Sequence, residues 1–146
     1  MTDFIVVGNM NACTYKEVFP LFKSGKARLG YVANRPLLCK LPEGSEDEYA
    51  KVNSVSWFVT FPVEKEPLVL SKTYNPEDYP KYDNYDAINV DRVEDIPYDY
   101  DGVMGVPVSF LAKCGGGFVI EDKLNSPVIG GGQKIYKRVI VKKNLK

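Results

Sequence analysis

Phe4-Ile5-Val6-Val7-Gly8-Asn9 is the stretch on which the fold class turns. Its four apolar residues do not alternate with polar ones, as a strand with one wet face would. A continuous β-branched run ending at glycine fits a strand buried on both faces of a parallel sheet. A helix is expected directly after it. Thr14 with Glu17 three residues on has the spacing of a capping box, and Tyr15, Val18, Phe19 and Phe22 share one helical face. Gly25 is the expected stop, and Pro20 should kink this helix or open a second short helical piece. With a further strand at Arg28 to Tyr31, residues 1–31 read as strand, helix, strand. The apolar run opens at Phe4 without an ordinary lead-in, which is expected of a fragment.

Outward from that unit, residues 32–146 turn β-rich within what is expected to be a single domain. Leu37 to Leu41 and Val55 to Phe61 are candidate strands, and Glu43, Glu46, Asp47 and Glu48 between them mark a solvated loop tip. A last strand is expected from Lys134 to Lys143, where imperfect alternation suggests an edge. Residues 74–101 carry nine acids against Lys81 and Arg92, a local balance of −7, whereas residues 134–146 hold six cations and no acid. Tyr74, Pro76, Tyr79, Pro80, Tyr82, Tyr85 and Pro97 punctuate the acidic stretch, too aromatic for disorder and too rich in proline for helix. It is expected to be an ordered loop wrapped over a sheet. Gly115-Gly116-Gly117 and Gly130-Gly131-Gly132 mark flexible turns.

Composition narrows the function classes. The 146 residues, 45% of them apolar, suffice for one sizeable core. With 19 basic and 19 acidic residues the formal charge is zero, so any attraction to nucleic acid must be local. The absence of His removes imidazole general bases, the usual zinc nitrogen ligand and the triads built on it. Cys13, Cys39 and Cys114 form no Cys-x-x-Cys pair, fit neither disulfide framework nor metal knuckle, and are expected to be reduced thiols of a cytoplasmic protein. No stretch approaches the roughly 18 apolar residues of a membrane span, and no basic signal region opens the chain. Asp99 and Asp101 lack the ligand spacing of a cation loop, so no metal site is expected.

Four segments resemble the EcoRI-type adenine-specific DNA methyltransferase family. They are Gly8-Asn9-Met10-Asn11-Ala12 running on to Thr14-Tyr15-Lys16-Glu17-Val18-Phe19-Pro20-Leu21; Lys72 to Ile88, beginning Lys-Thr-Tyr-Asn-Pro-Glu-Asp-Tyr-Pro; Ile96 to Pro107, containing Tyr98-Asp99-Tyr100-Asp101-Gly102; and Ile135-Tyr136-Lys137-Arg138-Val139-Ile140-Val141. The resemblance implies methyl transfer from S-adenosylmethionine to the N6 amine of adenine in duplex DNA, with the base flipped out of the stack. That amine is a poor nucleophile, so acceptors must hold its hydrogens while the donor is placed in line. The family does this with an Asn-Pro-Pro-Phe motif. This sequence contains no Pro-Pro, and Asn75-Pro76-Glu77-Asp78 offers no stacking ring. The motif and the glycine-containing cofactor loop are expected upstream, on a missing amino-terminal methyltransferase half. The implied fold is α/β: the terminal part of a Rossmann-like sheet (1–31), followed by a β-rich closing and target region (32–146). No catalytic residue is carried over, and the chain alone is expected to bind no cofactor. A rival reading is a non-catalytic protein- or DNA-binding module, phage-encoded, presenting the tyrosine-rich acidic surface to a partner.

Eight residues are candidate site positions. Asn9 and Asn11 follow the first strand, where open parallel sheets bind ligands, although Asx turns would place asparagines there equally well. Tyr74 and Tyr82 could line a base pocket or pack on the sheet. Lys137, Arg138, Lys142 and Lys143 could meet the DNA backbone or form a solvated edge.

Overall fold

A computed structural model of the chain describes residues 2–30, 37–53, 55–65, 67–113 and 116–144. Tyr31, Cys114, Gly115 and Lys146 lie outside them. The architecture is mixed α/β, rich in sheet and poor in helix, and its strands do not follow the parallel arrangement expected from Phe4 to Val7. Strand β1 (Ile5–Asn9) pairs antiparallel with β5 (Val55–Val59), which pairs antiparallel with β2 (Arg28–Leu29), in the order β1-β5-β2. β1 stands at the edge. Ile5, Val6 and Val7 remain 57%, 51% and 45% exposed, so both faces of the strand are open among the described residues rather than buried. Their apolarity is unused by the contacts described.

The helix also differs from its expected span. Residues Met10–Thr14 form a 3-10 helix, and the α-helix α1 is only Phe19–Lys23. The Thr14 hydroxyl donates back to the Asn11 carbonyl at 2.9 Å instead of capping a helix that contains Glu17. Pro20 explains the split: within the first turn of α1 its missing N–H removes no helical bond. Gly25, with φ of 77°, ends the unit as expected.

Strand β3 (Leu37–Lys40) forms a hairpin with β4 (Tyr49–Val52), which the sequence reading did not anticipate, and Glu43, Glu46, Asp47 and Glu48 lie at its exposed tip. A four-stranded sheet has the order β6-β7-β11-β8. It comprises β6 (Ile88–Asn89), β7 (Met104–Pro107), β8 (Phe118–Leu124) and β11 (Arg138–Lys143). Its parallel pairing is β6 with β7; β11 runs antiparallel to both β7 and β8. A short helix α2 (Phe110–Lys113) follows β7, and β9 (Val128–Ile129) pairs with β10 (Gln133–Lys134).

The strand expected as an edge from Lys134 to Lys143 is divided: Lys134 ends β10, and Arg138–Lys143 is β11, an interior strand of this sheet. Val139, Ile140 and Val141 are completely buried. Val139 and Val141 join a core with Cys13, Phe19, Phe22, Leu29, Met104 and Val106, while Ile140 enters a second cluster with Tyr82 and Ala87. Poor alternation here reflects cover on both faces, worth about 1.5–3 kcal/mol per buried aliphatic side chain. The acidic stretch is ordered, and it does more than wrap a sheet: it contributes β6 and sends Ile88, Val90, Val93 and Ile96 into the core.

Gly105 on β7 is fixed by close approach. A Cβ there would lie 2.0 Å from the Tyr82 hydroxyl and 2.6 Å from its ring. Gly105→Ala is therefore expected to cost about 1–3 kcal/mol as an overpacked site, measured as a lowered urea midpoint with unchanged m-value. The buried Cys13 thiol and exposed Cys39 give a second test. Burial pushes the Cys13 thiol from 9.0 up to about 12, so at pH 8 a thiol reagent should modify Cys39 promptly and Cys13 only on unfolding. The sign is fixed as well. The folded thiol keeps its proton above the unfolded value, so the stability it contributes is present below pH 9.0 and is lost as pH rises through about 12.

Candidate functional site

Six of the eight candidate positions fall in three places, and Lys142 and Lys143 lie outside them. Tyr82 and Arg138 meet at Asn89 of β6. The Tyr82 hydroxyl donates to Asn89 Oδ1 at 2.8 Å and approaches the Gly105 carbonyl at 3.2 Å; Arg138 Nε donates to the same Asn89 oxygen at 3.2 Å. Arg138 Nη1 donates to the Tyr136 carbonyl at 3.0 Å, and Nη2 lies 3.9 Å from Asp91. Asn89 Nδ2 donates to Asp91 at 2.8 Å. Desolvation, outweighing the nearby Arg138, pushes the Tyr82 phenol well above its ordinary value, so it remains a donor. Tyr82 is 5% and Arg138 8% exposed, and both are engaged inside the fold.

Tyr74 lies in a cluster of rings, 5.8 Å from Tyr79 and 4.6 Å from Tyr100 between centroids. Its backbone N–H donates to Asp99 at 2.7 Å, and the Tyr79 hydroxyl donates to the Asp95 carbonyl at 2.6 Å. A neighbouring depression of about 200 Å³ is lined by Lys72, Asp78, Tyr79, Asp91 and Asp95, a balance that repels phosphate.

Asn9, Asn11 and Lys137 come together in the third place, where residues 135–137 cross the 3-10 helix after β1. Asn9 Oδ1 accepts from the Asn11 N–H at 2.9 Å, an Asx turn that starts the 3-10 helix. Asn11 Oδ1 accepts from the Tyr136 hydroxyl. The Lys137 ammonium lies 5.6 Å from the centre of the Tyr15 ring, within cation–π range. Lys123 on β8 donates to the Thr14 carbonyl and lies 5.6 Å from the Phe19 ring centre. Tyr15 and Tyr136 are 53% and 58% exposed. The region is thus polar, cationic and aromatic at once.

The remaining cations are not part of it. Lys142 is exposed five residues along, about 17 Å away at the usual strand rise. Lys143 donates to the Tyr98 carbonyl, on the acidic stretch. Among the described residues no group of acids and cysteines could hold a metal ion, and no helix is long and apolar enough to cross a membrane.

Comparison with known proteins gives this junction its context. The family described as adenine-specific methyltransferase EcoRI matches residues 1–118. The chain belongs to that family. It is 41% identical to the type II methyltransferase M.EcoRI of Escherichia coli over 127 residues, covering 75% of this chain and 39% of that protein. It is 32% identical to M.MpnI of Mycoplasma pneumoniae and 31% identical to M.MgeORF184P of Mycoplasma genitalium, each match covering 75% of this chain and 40% of the relative. The chain therefore spans about two fifths of the curated relatives it matches. No solved structure matches.

The family match takes in Asn9, Asn11, Tyr15, Tyr74 and Tyr82, and stops short of the Tyr136–Lys143 segment. Tyr15, Tyr136 and Lys123 were missed by sequence reasoning. One signal was available: Tyr-Lys occurs at Tyr15-Lys16 and again at Tyr136-Lys137. The repeat does not say that the two rings are exposed or that the chain brings them together; both follow only from the fold.

The two adjacent cations should separate cleanly on mutation. Arg138→Gln strands the partners of a buried guanidinium and is expected to cost about 2 kcal/mol in urea unfolding. Lys137→Gln removes only a contact over the Tyr15 ring and should leave stability within about 0.5 kcal/mol in the same measurement.

Proposed function

We propose that this chain is part of an S-adenosylmethionine-dependent DNA adenine-N6 methyltransferase of the restriction-modification type, the part that completes the sheet and borders the target DNA. The observation that carries this reading is the family match over residues 1–118, together with 41% identity to a type II methyltransferase. The catalytic portion lies on polypeptide corresponding to the share of those relatives that this chain does not match.

The exposed β1 supports this division. A strand apolar on both faces is built for the middle of a covered sheet, and left at an edge it invites association. In this reading a Rossmann-like sheet from the catalytic portion pairs with β1, burying Ile5, Val6 and Val7. Asn9 and Asn11 then stand where the ligands of such sheets gather. Duplex DNA runs past the junction, with Lys137 and the exposed Lys142 on its backbone.

The cofactor belongs to the other portion. The glycine turn Gly130–Gly132 directs the Gly131 and Gly132 N–H groups at 2.9 and 3.2 Å onto the Asp83 carboxylate. A carboxylate already held there is a poor start for a nucleotide site. This chain's residues hold and shape the DNA; they do not transfer the methyl group.

The decisive experiment mixes this chain with the complementary portion of the Escherichia coli relative and follows tritiated methyl transfer from S-adenosylmethionine to adenine in duplex DNA. Each part alone is expected to be inactive and the pair active. Transfer by this chain alone would overturn the division proposed. A folded, cofactor-binding partner that stays inactive with it would leave the non-catalytic binding module as the better reading.

A further inference from the structure

The junction after β1 presents more than isolated polar residues. Tyr15 and Tyr136 are large rings with over half their surface open, held in place by different means. Tyr136 is anchored through its hydroxyl to Asn11, itself fixed by the Asn9 Asx turn. Tyr15 follows the 3-10 helix, its backbone N–H on the Ala12 carbonyl at 3.0 Å and its carbonyl taken by the Phe19 N–H at 2.9 Å. Tyr136 is thus held by a side-chain bond across the fold and Tyr15 through its backbone, and both residues stay more than half exposed. The Tyr74, Tyr79 and Tyr100 rings contrast with them: those cover one another.

Charge distinguishes this surface further. Lys137 hovers over Tyr15 and Lys123 bonds the end of the 3-10 helix, while Asp91 and Asp83 of the acidic stretch face Arg138 and the Gly131–Gly132 turn. Exposed aromatic faces beside a lysine on a flexible stem suit one ligand chemistry above others, a planar base with an adjoining phosphate. An apolar partner would not explain the cations, and a bare anion would not explain the rings.

We propose that Tyr15 and Tyr136, with Lys137, form a platform for an unstacked nucleotide of the DNA, the rings stacking on bases and the lysine taking the neighbouring phosphate. The inference rests on the methyltransferase reading for its ligand, and it assigns the job to side chains outside the eight candidates apart from Lys137. Asn11 is a positioning residue here: it accepts the Tyr136 hydroxyl and thereby sets the ring.

The test uses the full chain and a single-stranded oligodeoxynucleotide carrying one 2-aminopurine, followed by anisotropy and by quenching of the probe on stacking. Tyr15→Leu and Tyr136→Leu should each weaken binding about tenfold, in line with stacking on one base, and reduce the quench. Tyr15→Phe keeps the ring and should stay within about threefold of the unmodified chain, whereas Tyr136→Phe keeps the ring but loses its bond to Asn11 and should fall between the unmodified chain and Tyr136→Leu. Tyr15→Phe behaving like Tyr15→Leu would overturn the platform. So would Leu variants that bind and quench like the unmodified chain, or an unmodified chain that ignores the oligonucleotide at about 50 mM salt, where backbone contacts are strong. None of these failures touches the methyltransferase reading, which stands or falls on methyl transfer by the reconstituted pair.

Discussion

The Asn89 side chain, buried between β6, β7 and β11, is the constraint around which the larger sheet is organised. Its oxygen accepts from both the Tyr82 hydroxyl and Arg138 Nε, and its amide donates to Asp91. A buried polar group without partners costs more than a made hydrogen bond returns, so these groups must be brought together for the core to close. Tyr82 can reach Asn89 only by crossing β7 where there is no side chain, which is why Gly105 stands there. The buried β-branched residues of β11 enter the cores on either side, Val139 and Val141 in one and Ile140 in the other, next to this polar network.

That network also disposes of much of the charge. The acidic segment 74–101 and the basic segment from residue 134 are far apart along the chain and adjacent in space, at Arg138 with Asp91 and at Lys143 with the Tyr98 carbonyl. The exposed ion pairs themselves contribute little to stability. Their effect is on the surface field: Arg138 and Lys143 are engaged with the acidic segment, whereas Lys123 and Lys137 stand at the junction after β1.

The two sides of the molecule therefore have different finishes. Around Asn89 both faces of the sheet are covered and polar groups are paired. Around β1 an apolar strand keeps an open edge, next to exposed tyrosines and lysine. Buried, paired regions supply rigidity, while open edges and exposed rings are where partners are met. In the proposed reading the catalytic portion meets β1 and the DNA passes its end, both referred to one rigid sheet.

Sequence by itself determined the family, the glycine stop at Gly25, the order of the acidic stretch and the solvated loop tip at Glu43 to Glu48, because these depend on local residue chemistry or on text shared with relatives. It also marked Asn9 and Asn11 through turn chemistry. The strand environments were decided by tertiary structure. Phe4 to Val7 and Val139 to Val141 are both unbroken apolar runs, and a run says that a strand can be buried on two faces, not which strand has neighbours on both sides. The four basic candidates posed the same problem: Lys137, Arg138, Lys142 and Lys143 lie within seven residues, yet one is buried on Asn89, one faces a tyrosine ring, one is open and one is tied to Tyr98. Pleating turns neighbouring side chains to opposite faces, and what waits on each face comes from segments about fifty to more than a hundred residues away. Local sequence carries no signal for such partners, so their roles could be read only after the chain had folded.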